Sequence, residues 1–544
     1  MNWSALWTHW QRMRVLAVEW GAVAAVSAAL VVFATIVLLQ SHYIPIWDSW
    51  IYANCVLDAA AHPFRLERYR CAEHFSHVYM FLLAIPQWLG IREVPGILCL
   101  NALLGMGAIL AFYAAARSVF TGARYRMDCA LLAAVFAVHP VFLASAVFVN
   151  VDYGVLVFTL ITLACLLRGR TWASGVCGLA LVFSKEVGVL VYAVLVSVSL
   201  VFAGGWRPLA LAQKLVRALR LLPLALPLVV AAIYVCWLRS RAAPFWGSLS
   251  LRLILEQLTT VKPMAPDTRA TLAGIFLLSF SWIPTAFIAA DLIARTILWS
   301  LHRSARFPEE VHRKNLSLVL WTAVLATFFL TRLRSSVSVR YYAVLYPLLL
   351  TAFAAALVRL SLRPALRRIL LGSLMALFLA SAFRTVDPIS MRTYGTFRFG
   401  EHKMLGMTSI NHECCGHGLD QLVYNLEFIR VHEAIDEVLS QIRPSVAKPI
   451  VIADWADWFL MVRMNPTTFR RTLRRSGSRP VPHLDITELK ALAQAPAEIS
   501  FLALATADNR TALARLQAHY DLTETVVFGR DGYSLPVHRM RRRE

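Results

Sequence analysis

The sequence predicts an all-α polytopic membrane domain followed by an extracytoplasmic α/β domain. Of its 544 residues, 58% are hydrophobic and only 16% are charged, whereas soluble domains carry about 25% charged residues. Apolar runs recur from Val15 to Ala382, and the composition after that point is typical of a soluble domain. We therefore expect a membrane domain at residues 1–383 and a soluble domain at residues 384–544.

Membrane-spanning helices are predicted where an apolar run approaches the ~20 residues that a bilayer requires. Some of these runs, notably the fourth and fifth, are short enough to be tilted or broken. We expect about eleven transmembrane helices, near Val15–Leu39, Pro95–Ala116, Cys129–Phe148, Gly154–Leu167, Ala173–Phe183, Val187–Phe202, Leu221–Leu238, Ala270–Ile293, Leu316–Leu330, Tyr341–Val358 and Ile369–Phe383.

The segment Val78–Leu89 decides the predicted topology. It is apolar but short for a span, so we expect it to lie as a helix along the membrane interface. Without a crossing there, the basic loops around Arg124, Arg170 and Arg359–Arg368 all face the cytoplasm, as the positive-inside rule requires. The N-terminus is then cytoplasmic, the tail is periplasmic or extracellular, and the chain lies in a plasma (inner) membrane.

The formal net charge of +22 is accounted for mainly by these cytoplasmic loops. The remaining basic excess suits an anionic ligand such as a lipid phosphate, so membrane lipid is an expected partner. The sequence has no basic module interleaved with aromatic residues, and nucleic acid is therefore not expected as a partner.

The tail carries the pattern of an α/β unit. Helices are expected at Leu419–Ile442 and Ile486–Gln494, and strands at Pro449–Ala453 and Ile499–Leu504.

A second feature of the tail is a cluster with metal-like composition but without the spacing of a zinc site. A divalent metal and separate disulfides both remain open for this cluster, which comprises His412, Glu413, Cys414, Cys415 and His417. Outside the predicted spans, Cys55 and Cys71 also lie where an oxidising compartment permits a disulfide.

The stretch Trp47-Asp48-Ser49-Trp50 follows the first span. A carboxylate held between two tryptophans just above the membrane lies where a lipid-linked substrate would present its head group. An aromatic interfacial belt with a solvated Asp48 is the alternative.

Two further groups of ionisable residues lie at the outer ends of predicted spans. Asp152 begins a helix, where it either interacts with the helix dipole or works with Asp48 as one of two carboxylates, one acting as base and the other orienting an acceptor or a metal. Lys185 and Glu186 interrupt an apolar stretch. They either neutralise each other, or Lys185 binds a phosphate while Glu186 lines a cavity.

Arginines on the predicted outer face oppose the positive-inside tendency. Arg332 and Arg334, and then Arg340 beside Tyr341, are placed to hold an anionic lipid phosphate, because arginine binds phosphate in a bidentate manner. Anchoring to lipid head groups is the alternative. Glu73 and His74 in the first outer loop, with His42, His62 and His77, are further residues expected to line the same cavity.

From Val15 to Val358 the chain resembles the C-type glycosyltransferases, polytopic enzymes that use polyprenyl-phosphate sugars, and it is similar to the aminoarabinose and dolichyl-phosphate-mannose types. The resemblance rests on Asp48 after the first span, Asp152 at the outer end of the third, Ser184-Lys185-Glu186 before an apolar helix, and Arg340-Tyr341 ahead of Pro347. The usual acidic pair of the first loop is here a single Asp48, with Asp58 ten residues on.

This resemblance implies an inverting membrane glycosyltransferase, of hexosyl or pentosyl type, that moves a sugar from a polyprenyl-phosphate donor to an extracytoplasmic glycan, lipid or protein. Asp48 and Asp152 would be catalytic. The donor phosphate would be bound by Lys185, Arg332, Arg334, Arg340 and Tyr341, and the acceptor cavity would be formed by Trp47, Trp50, Glu73, His74 and Glu186.

Two other classes of protein compete with this interpretation. A polytopic ligase or polymerase of lipid-linked glycans is chemically adjacent. A transporter or flippase would place ionisable residues near the bilayer midplane, often in repeated halves. The charges here gather at the predicted outer surface, and the sequence shows neither an internal repeat nor a P-loop, Rossmann or nucleophile-elbow motif.

Overall fold

The computed structural model describes most of the membrane domain and part of the tail. The described residues are 3–40, 48–71, 74–91, 93–203, 211–240, 274–301, 339–383, 388–394, 398–399, 402–403, 437–438, 440–442, 445, 447–452, 483–485, 489, 495–503, 507–528 and 535–543.

The described part of residues 1–383 is helical. Its α-helices are α1 (Trp3–Leu39), α2 (Asp48–Ala61), α3 (His77–Trp88), α4 (Glu93–Val119), α5 (Arg126–Ala137), α6 (Pro140–Val147), α7 (Val151–Leu167), α8 (Thr171–Val182), α9 (Glu186–Ala203), α10 (Leu211–Ser240), α11 (Trp282–Leu301), α12 (Leu345–Arg359) and α13 (Pro364–Phe383). Short 3-10 turns at Leu66–Tyr69, Ala123–Tyr125 and Val339–Tyr342, and a π-helical turn at Gly274–Ser279, connect some of them.

Fewer helices have the length and apolar character of a span than the eleven predicted. Within the described residues, four qualify, at Ala17–Leu39, Pro95–Val119, Leu221–Leu238 and Pro364–Ala382. A fifth results if the pair Ala123–Ala137 and Pro140–Val147, bent by 53°, is taken as one span. The predicted run Leu316–Leu330 lies outside the described residues.

Part of the shortfall has a local cause, because two of the predicted runs contain a break in the helix, whereas four others form apolar helices of only 10–17 residues in the part of the chain that the structure describes. Pro140 lacks the N–H that a continuous helix would need, so α5 ends at Ala137 and α6 starts at Pro140. The predicted run Ala270–Ile293 is similarly interrupted where the π-helical turn meets Ser281, whose φ of 71° is left-handed. Such breaks cannot be predicted from the mean hydropathy of a run, which does not depend on backbone geometry.

Helix α3 has 12 residues and is not among the helices in the described ranges that are long enough to cross a membrane. At its start, the Val78 N–H donates to the Phe183 carbonyl at the end of α8. Shortly after it, α4 begins at Glu93, and the amide of Asn101 in that helix donates to the Ala146 carbonyl at the end of α6. The start of α3, where the Tyr79 hydroxyl donates to Asn101, therefore lies at the bundle end at which α6 and α8 end.

Ion pairs join the helices at the opposite end of the bundle. Asp128 at the start of α5 accepts from Arg367 of α13 at 2.6 Å, and Asp291 of α11 accepts from Arg359 of α12 at 2.5 Å. Between the two ends, the core is packed with aromatic rings such as Phe136 and Phe142, which stack at 4.2 Å across the α5–α6 break.

The tail contains a mixed sheet, as the α/β pattern predicted. A two-stranded ribbon pairs β1 (Arg398–Phe399) with β2 (His402–Lys403), after helix α14 (Pro388–Tyr394). The larger sheet has the order β4-β3-β5-β7-β6, from β3 (Ile450–Ile452), β4 (His483–Asp485), β5 (Glu498–Leu502), β6 (Tyr520–Phe528) and β7 (Leu535–Arg542), with helix α15 (Ala507–Gln517) preceding β6.

The two faces of this sheet pack differently. Val451 and Phe501 belong to a small core with Leu516 of α15. The alternate positions Ile450 and Leu502 belong to the main hydrophobic core, as the period of two along a strand requires. The expected strands at Pro449–Ala453 and Ile499–Leu504 are thus confirmed, whereas the expected helices at Leu419–Ile442 and Ile486–Gln494 lie almost wholly outside the described residues.

Candidate functional site

The candidate site lies at the bundle end where α6 meets α7 and where α8 meets α9. Asn150 caps α7, because its side-chain oxygen accepts from the Asp152 N–H at 2.7 Å. This cap fixes the first turn of α7 and with it the position of the Asp152 carboxylate. The turn between α8 and α9 carries Lys185 and Glu186 to the same place.

A buried ion pair connects these two turns. The Lys185 Nζ atom donates to the Asp152 Oδ1 atom at 2.7 Å, and the side chains are only 2% and 12% exposed. Two charges so far from solvent are costly unless each has a partner. The pairing explains how Lys185 is tolerated within an otherwise apolar stretch.

Tyr341 links this ion pair to a second cation. Its ring lies 4.8 Å from the Lys185 Nζ atom and 5.2 Å from the Arg340 guanidinium carbon. Both distances are within the range of cation–π attraction. A guanidinium and an ammonium group therefore flank one aromatic ring beside a carboxylate, an arrangement in which an anionic group can be bound by both cations.

Glu186 contacts the segment between α2 and α3 and does not pair with Lys185. Its carboxylate is 7% exposed; it accepts from the Phe75 N–H at 2.9 Å and lies 2.9 Å from the His74 Nδ1 atom. Mutual neutralisation of Lys185 and Glu186, one of the alternatives from the sequence, is wrong for this structure, because each has its own partner on a different segment.

The loop segment that Glu186 contacts is also fixed by a disulfide and by hydrogen bonds. A disulfide joins Cys71 to Cys55 of α2. The Ser76 hydroxyl accepts from the Cys71 N–H and donates to the Tyr69 carbonyl, each at 3.0 Å. Residues on both sides of His74 are thus fixed by covalent and hydrogen bonds, which orients its ring toward α9.

The start of α2 is also attached to this end of the bundle. The Ser49 hydroxyl accepts from the Val149 N–H at 2.8 Å, three residues before Asp152. The Tyr52 ring lies 6.3 Å from the His74 ring. Asp48 is the first residue of α2, so its backbone lies next to Ser49 at this site, whereas its side chain lies outside the described residues.

An aromatic pair beside the site consists of His77, which the sequence predicted as a site residue, and Tyr234, which it did not. The Tyr234 hydroxyl of α10 is 2.9 Å from the His77 Nε2 atom, and the two rings meet edge to face. Burial, reinforced by the charge of Arg70, lowers the pKa of His77 to about 4. No pattern in the sequence signals Tyr234, which occurs in an apolar span 157 residues from its partner.

The structure brings together most of the predicted site residues that it describes: Asp152, Lys185, Glu186, His74, Arg340 and Tyr341. It does not bring His62 there, since that ring pairs with Asp58 of α2. The following lie outside the described residues: His42, Trp47, Glu73, Arg332, Arg334, the side chains of Asp48 and Trp50, and the cluster from His412 to His417.

In the part of the chain that the structure describes, no group of three or more His, Cys, Asp or Glu side chains is arranged to hold a metal ion. The described residues are arranged for electrostatic chemistry, because the paired cations can bind an anion and the buried carboxylates can orient neighbouring groups.

Comparisons with known proteins give matches among solved structures. The chain aligns with ArnT from Cupriavidus metallidurans, over 96% of this chain and 98% of the other in the apo state (17% identity, TM-score 0.49), and over 95% and 97% in the structure bound to undecaprenyl phosphate (17% identity, TM-score 0.46).

It also aligns with the Archaeoglobus fulgidus oligosaccharyltransferase in its apo form, over 80% of this chain and 63% of the other (14% identity, TM-score 0.43). Both proteins belong to the class of transferases that the sequence resembles. No protein-family model and no curated protein sequence matches the chain.

Proposed function

We propose that the protein is an integral membrane glycosyltransferase that transfers a sugar from a polyprenyl-phosphate donor to an extracytoplasmic acceptor. The observation that carries this proposal is the meeting of Asp152, Lys185, Tyr341 and Arg340 at one end of the bundle, next to Glu186 and the first outer loop. The acceptor is a glycan, lipid or protein of the cell envelope, and the transferred sugar a hexose or pentose.

The donor phosphate would lie against Lys185 and Arg340. Both cations contact the Tyr341 ring, so a phosphate bridging them meets two positive charges held by one aromatic surface. Arg332 and Arg334 would complete the anion site from the loop before Tyr341. Preorganised positive charge stabilises the phosphate oxygen on which negative charge grows as the glycosidic bond breaks.

Asp152 would orient Lys185 instead of taking up a proton. Its carboxylate oxygen lies 2.7 Å from the ammonium group, which fixes one N–H direction of Lys185. A carboxylate in this role contributes to catalysis by placing a cation, much as an orienting group places a base.

Asp48 would act as the general base. The bond from Ser49 to Val149 supports its placement beside α7. The Asp48 carboxylate would take the proton of an acceptor hydroxyl or amine, and the freed electron pair would form a bond to the anomeric carbon. The bond from that carbon to the phosphate oxygen breaks in the same step, which inverts the configuration and releases polyprenyl phosphate.

The acceptor would approach through the first outer loop. The contact between Glu186 and His74 holds this loop against α9. The predicted loop also contains Trp47, Trp50 and Glu73. The arginine-rich opposite end of the bundle supports a cytoplasmic location for that end. The site and the tail would then face the periplasm or the outside of a plasma (inner) membrane.

Replacement of Asp48 by Asn tests the general base. In membranes supplied with a radiolabelled polyprenyl-phosphate sugar, we expect Asp48→Asn to abolish sugar transfer while expression stays normal. Asp58→Asn is the matched control, because Asp58 lies on the same helix but is 43% exposed and pairs with Arg68. Full activity of Asp48→Asn would refute the assignment of the base.

Replacement of Arg340 by Ala tests the anion site. We expect weaker binding of the lipid-phosphate donor, measured with the purified full chain, and a smaller effect on the acceptor. Unchanged donor affinity would show that Arg340 has a structural role.

The alternative function is tested with the unaltered protein. Energy-independent movement of the lipid between leaflets without any sugar transfer would favour a flippase.

A further inference from the structure

A buried asparagine beside the candidate site joins four helices. Asn101 of α4 is fully buried, and its side-chain oxygen accepts from the Tyr79 hydroxyl of α3 at 2.9 Å. Its side-chain amide donates to the Ala146 carbonyl at 3.1 Å and lies 3.5 Å from the Phe148 carbonyl. Its own main-chain carbonyl accepts from the Tyr153 hydroxyl of α7 at 2.8 Å. One residue of α4 therefore bonds to α3, to the end of α6 and to the start of α7.

The amide of Asn101 provides hydrogen bonds that α6 cannot form for itself. The last carbonyl groups of a helix have no partner within that helix, and α6 ends at Val147. An unpaired carbonyl group away from water is costly. Asn101 therefore stabilises the main chain at the point where it leaves α6 and turns into α7.

Close packing of the helices brings both tyrosine hydroxyls to Asn101. Tyr79 and Tyr153 are themselves fully buried. A Cβ atom on Gly105, one helical turn after Asn101, would lie 2.3 Å from the Tyr153 hydroxyl, and a Cβ atom on Gly154 would lie 2.9 Å from the Tyr79 ring. Side chains at these two positions would force the helices apart, so the hydrogen bonds depend on glycine at both.

The partners of Asn101 adjoin the two segments that form the candidate site. On α7, Tyr153 directly follows Asp152, the carboxylate of the buried ion pair. On α3, Tyr79 lies five residues after His74, which is part of the contact that holds the first outer loop against α9. Because both segments are bonded to one buried residue, a shift of either segment is transmitted to the other through Asn101.

We propose that Asn101 is a positioning residue that fixes the Asp152 carboxylate relative to the first outer loop. It is fully buried and acts through its bonds to Tyr79, Tyr153 and the end of α6. Its effect on catalysis rests on the proposed function, in which Asp152 orients Lys185 toward the donor phosphate. A displacement of about 1 Å in a group that orients reacting atoms lowers a rate by up to about 100-fold, so a residue remote from the substrate can control activity.

Two conservative variants and one matched control test this proposal. Tyr79→Phe and Tyr153→Phe each remove one hydroxyl that bonds to Asn101. Tyr192→Phe is the control, because the hydroxyl of the fully buried Tyr192 donates to the Leu224 carbonyl at 2.9 Å, in a bond between α9 and α10 that does not involve Asn101. Each variant loses one buried hydroxyl bond, so we expect similar decreases in melting temperature.

Hydrogen–deuterium exchange of the purified full chain in detergent, followed by mass spectrometry, measures the coupling between the two segments. We expect residues 148–153 to exchange about fivefold faster in Tyr79→Phe, although this substitution is in α3, because the Asn101 side chain loses a bond that holds it in place. Tyr192→Phe should leave the exchange of this segment within about twofold of the unaltered protein. Unchanged exchange of residues 148–153 in Tyr79→Phe would overturn the proposal.

Sugar transfer shows whether this coupling affects the site. With a radiolabelled polyprenyl-phosphate sugar as donor, we expect Tyr79→Phe and Tyr153→Phe to lower kcat about tenfold while the KM for the donor stays within about twofold, because Lys185 is still present but less well oriented. An equal loss of kcat in Tyr192→Phe would show that activity follows stability alone and would overturn the proposal. Absence of sugar transfer by the unaltered protein would refute the proposed function, whereas the exchange measurement would still decide whether Asn101 couples the two segments.

Discussion

The buried pair of Lys185 and Asp152 makes a quantitative prediction about stability. Replacing Lys185 by Met leaves a carboxylate that is 12% exposed without its ammonium partner 2.7 Å away. Breaking a buried pair in this way costs about 3–5 kcal/mol, because the remaining charge is poorly solvated. Asp152→Asn likewise removes the carboxylate that pairs with Lys185, whose side chain is 2% exposed.

The double variant Asp152→Asn/Lys185→Met should recover most of that loss. Both charges are then absent, and neutral replacements of a buried pair are often close to neutral in stability. With about 3–5 kcal/mol lost in each single variant and about 1 kcal/mol lost in the double variant, where the cation–π contact with Tyr341 is absent as well, the double-mutant cycle should give a coupling energy of about 5 kcal/mol or more.

Unfolding of the purified protein in detergent, followed by circular dichroism, measures the cycle. The exposed pair of Arg539 and Glu524 in the tail, with side chains 45% and 52% exposed, is the matched control and should show coupling of at most about 1 kcal/mol. Additive effects of the two replacements at Lys185 and Asp152, with coupling under about 0.5 kcal/mol, would refute the ion pair.

The same variants separate folding from function. If Lys185 binds the donor phosphate, the double variant should be stable but still deficient in sugar transfer, because charge neutrality does not replace a phosphate ligand. Recovery of transfer together with stability would mean that the pair serves the fold alone.

Three further outcomes are expected. Replacing Cys55 and Cys71 by Ser should lower the free energy of unfolding by about 3 kcal/mol, given their separation of 16 residues, and should lower sugar transfer; unchanged stability would show that the disulfide does not form. Because the pKa of His77 is lowered from 6.5 to about 4, its contribution to stability is present above pH 6.5 and is lost as the pH falls towards 4. His77→Phe should flatten the acid side of a melting-temperature profile, and an unaltered profile would contradict this. Gly188→Ala should prevent correct folding of the α8–α9 turn, since its Cβ would lie 2.1 Å from a main-chain carbonyl oxygen of α8. Gly107→Ala, which meets nothing within 4 Å, is the control, and equal expression of both in folded form would refute the packing.

The sequence by itself determined where ionisable residues had to have partners. Lys185 and Glu186 interrupt an apolar stretch, and Asp152 begins an apolar helix. Because burying a charge is costly, the sequence identified all three as residues that need a partner or a function. The same logic predicted that Val78–Leu89 does not cross, because the alternative reversed every basic loop. Strand periodicity similarly predicted β3 and β5 in the tail, since alternation along a strand is a local property.

Only the tertiary structure determined which charged residues pair with each other. Glu186 bonds to His74, 112 residues away, and Lys185 bonds to Asp152, 33 residues away. Adjacency in sequence favoured a pair between Lys185 and Glu186, but contacts over such separations depend on how the helices pack. Helix breaks at Pro140 and Ser281 likewise replaced continuous spans, since average hydropathy does not depend on backbone geometry. Burial cost is a property of residue type and can be predicted from sequence, whereas partner choice is a property of the fold.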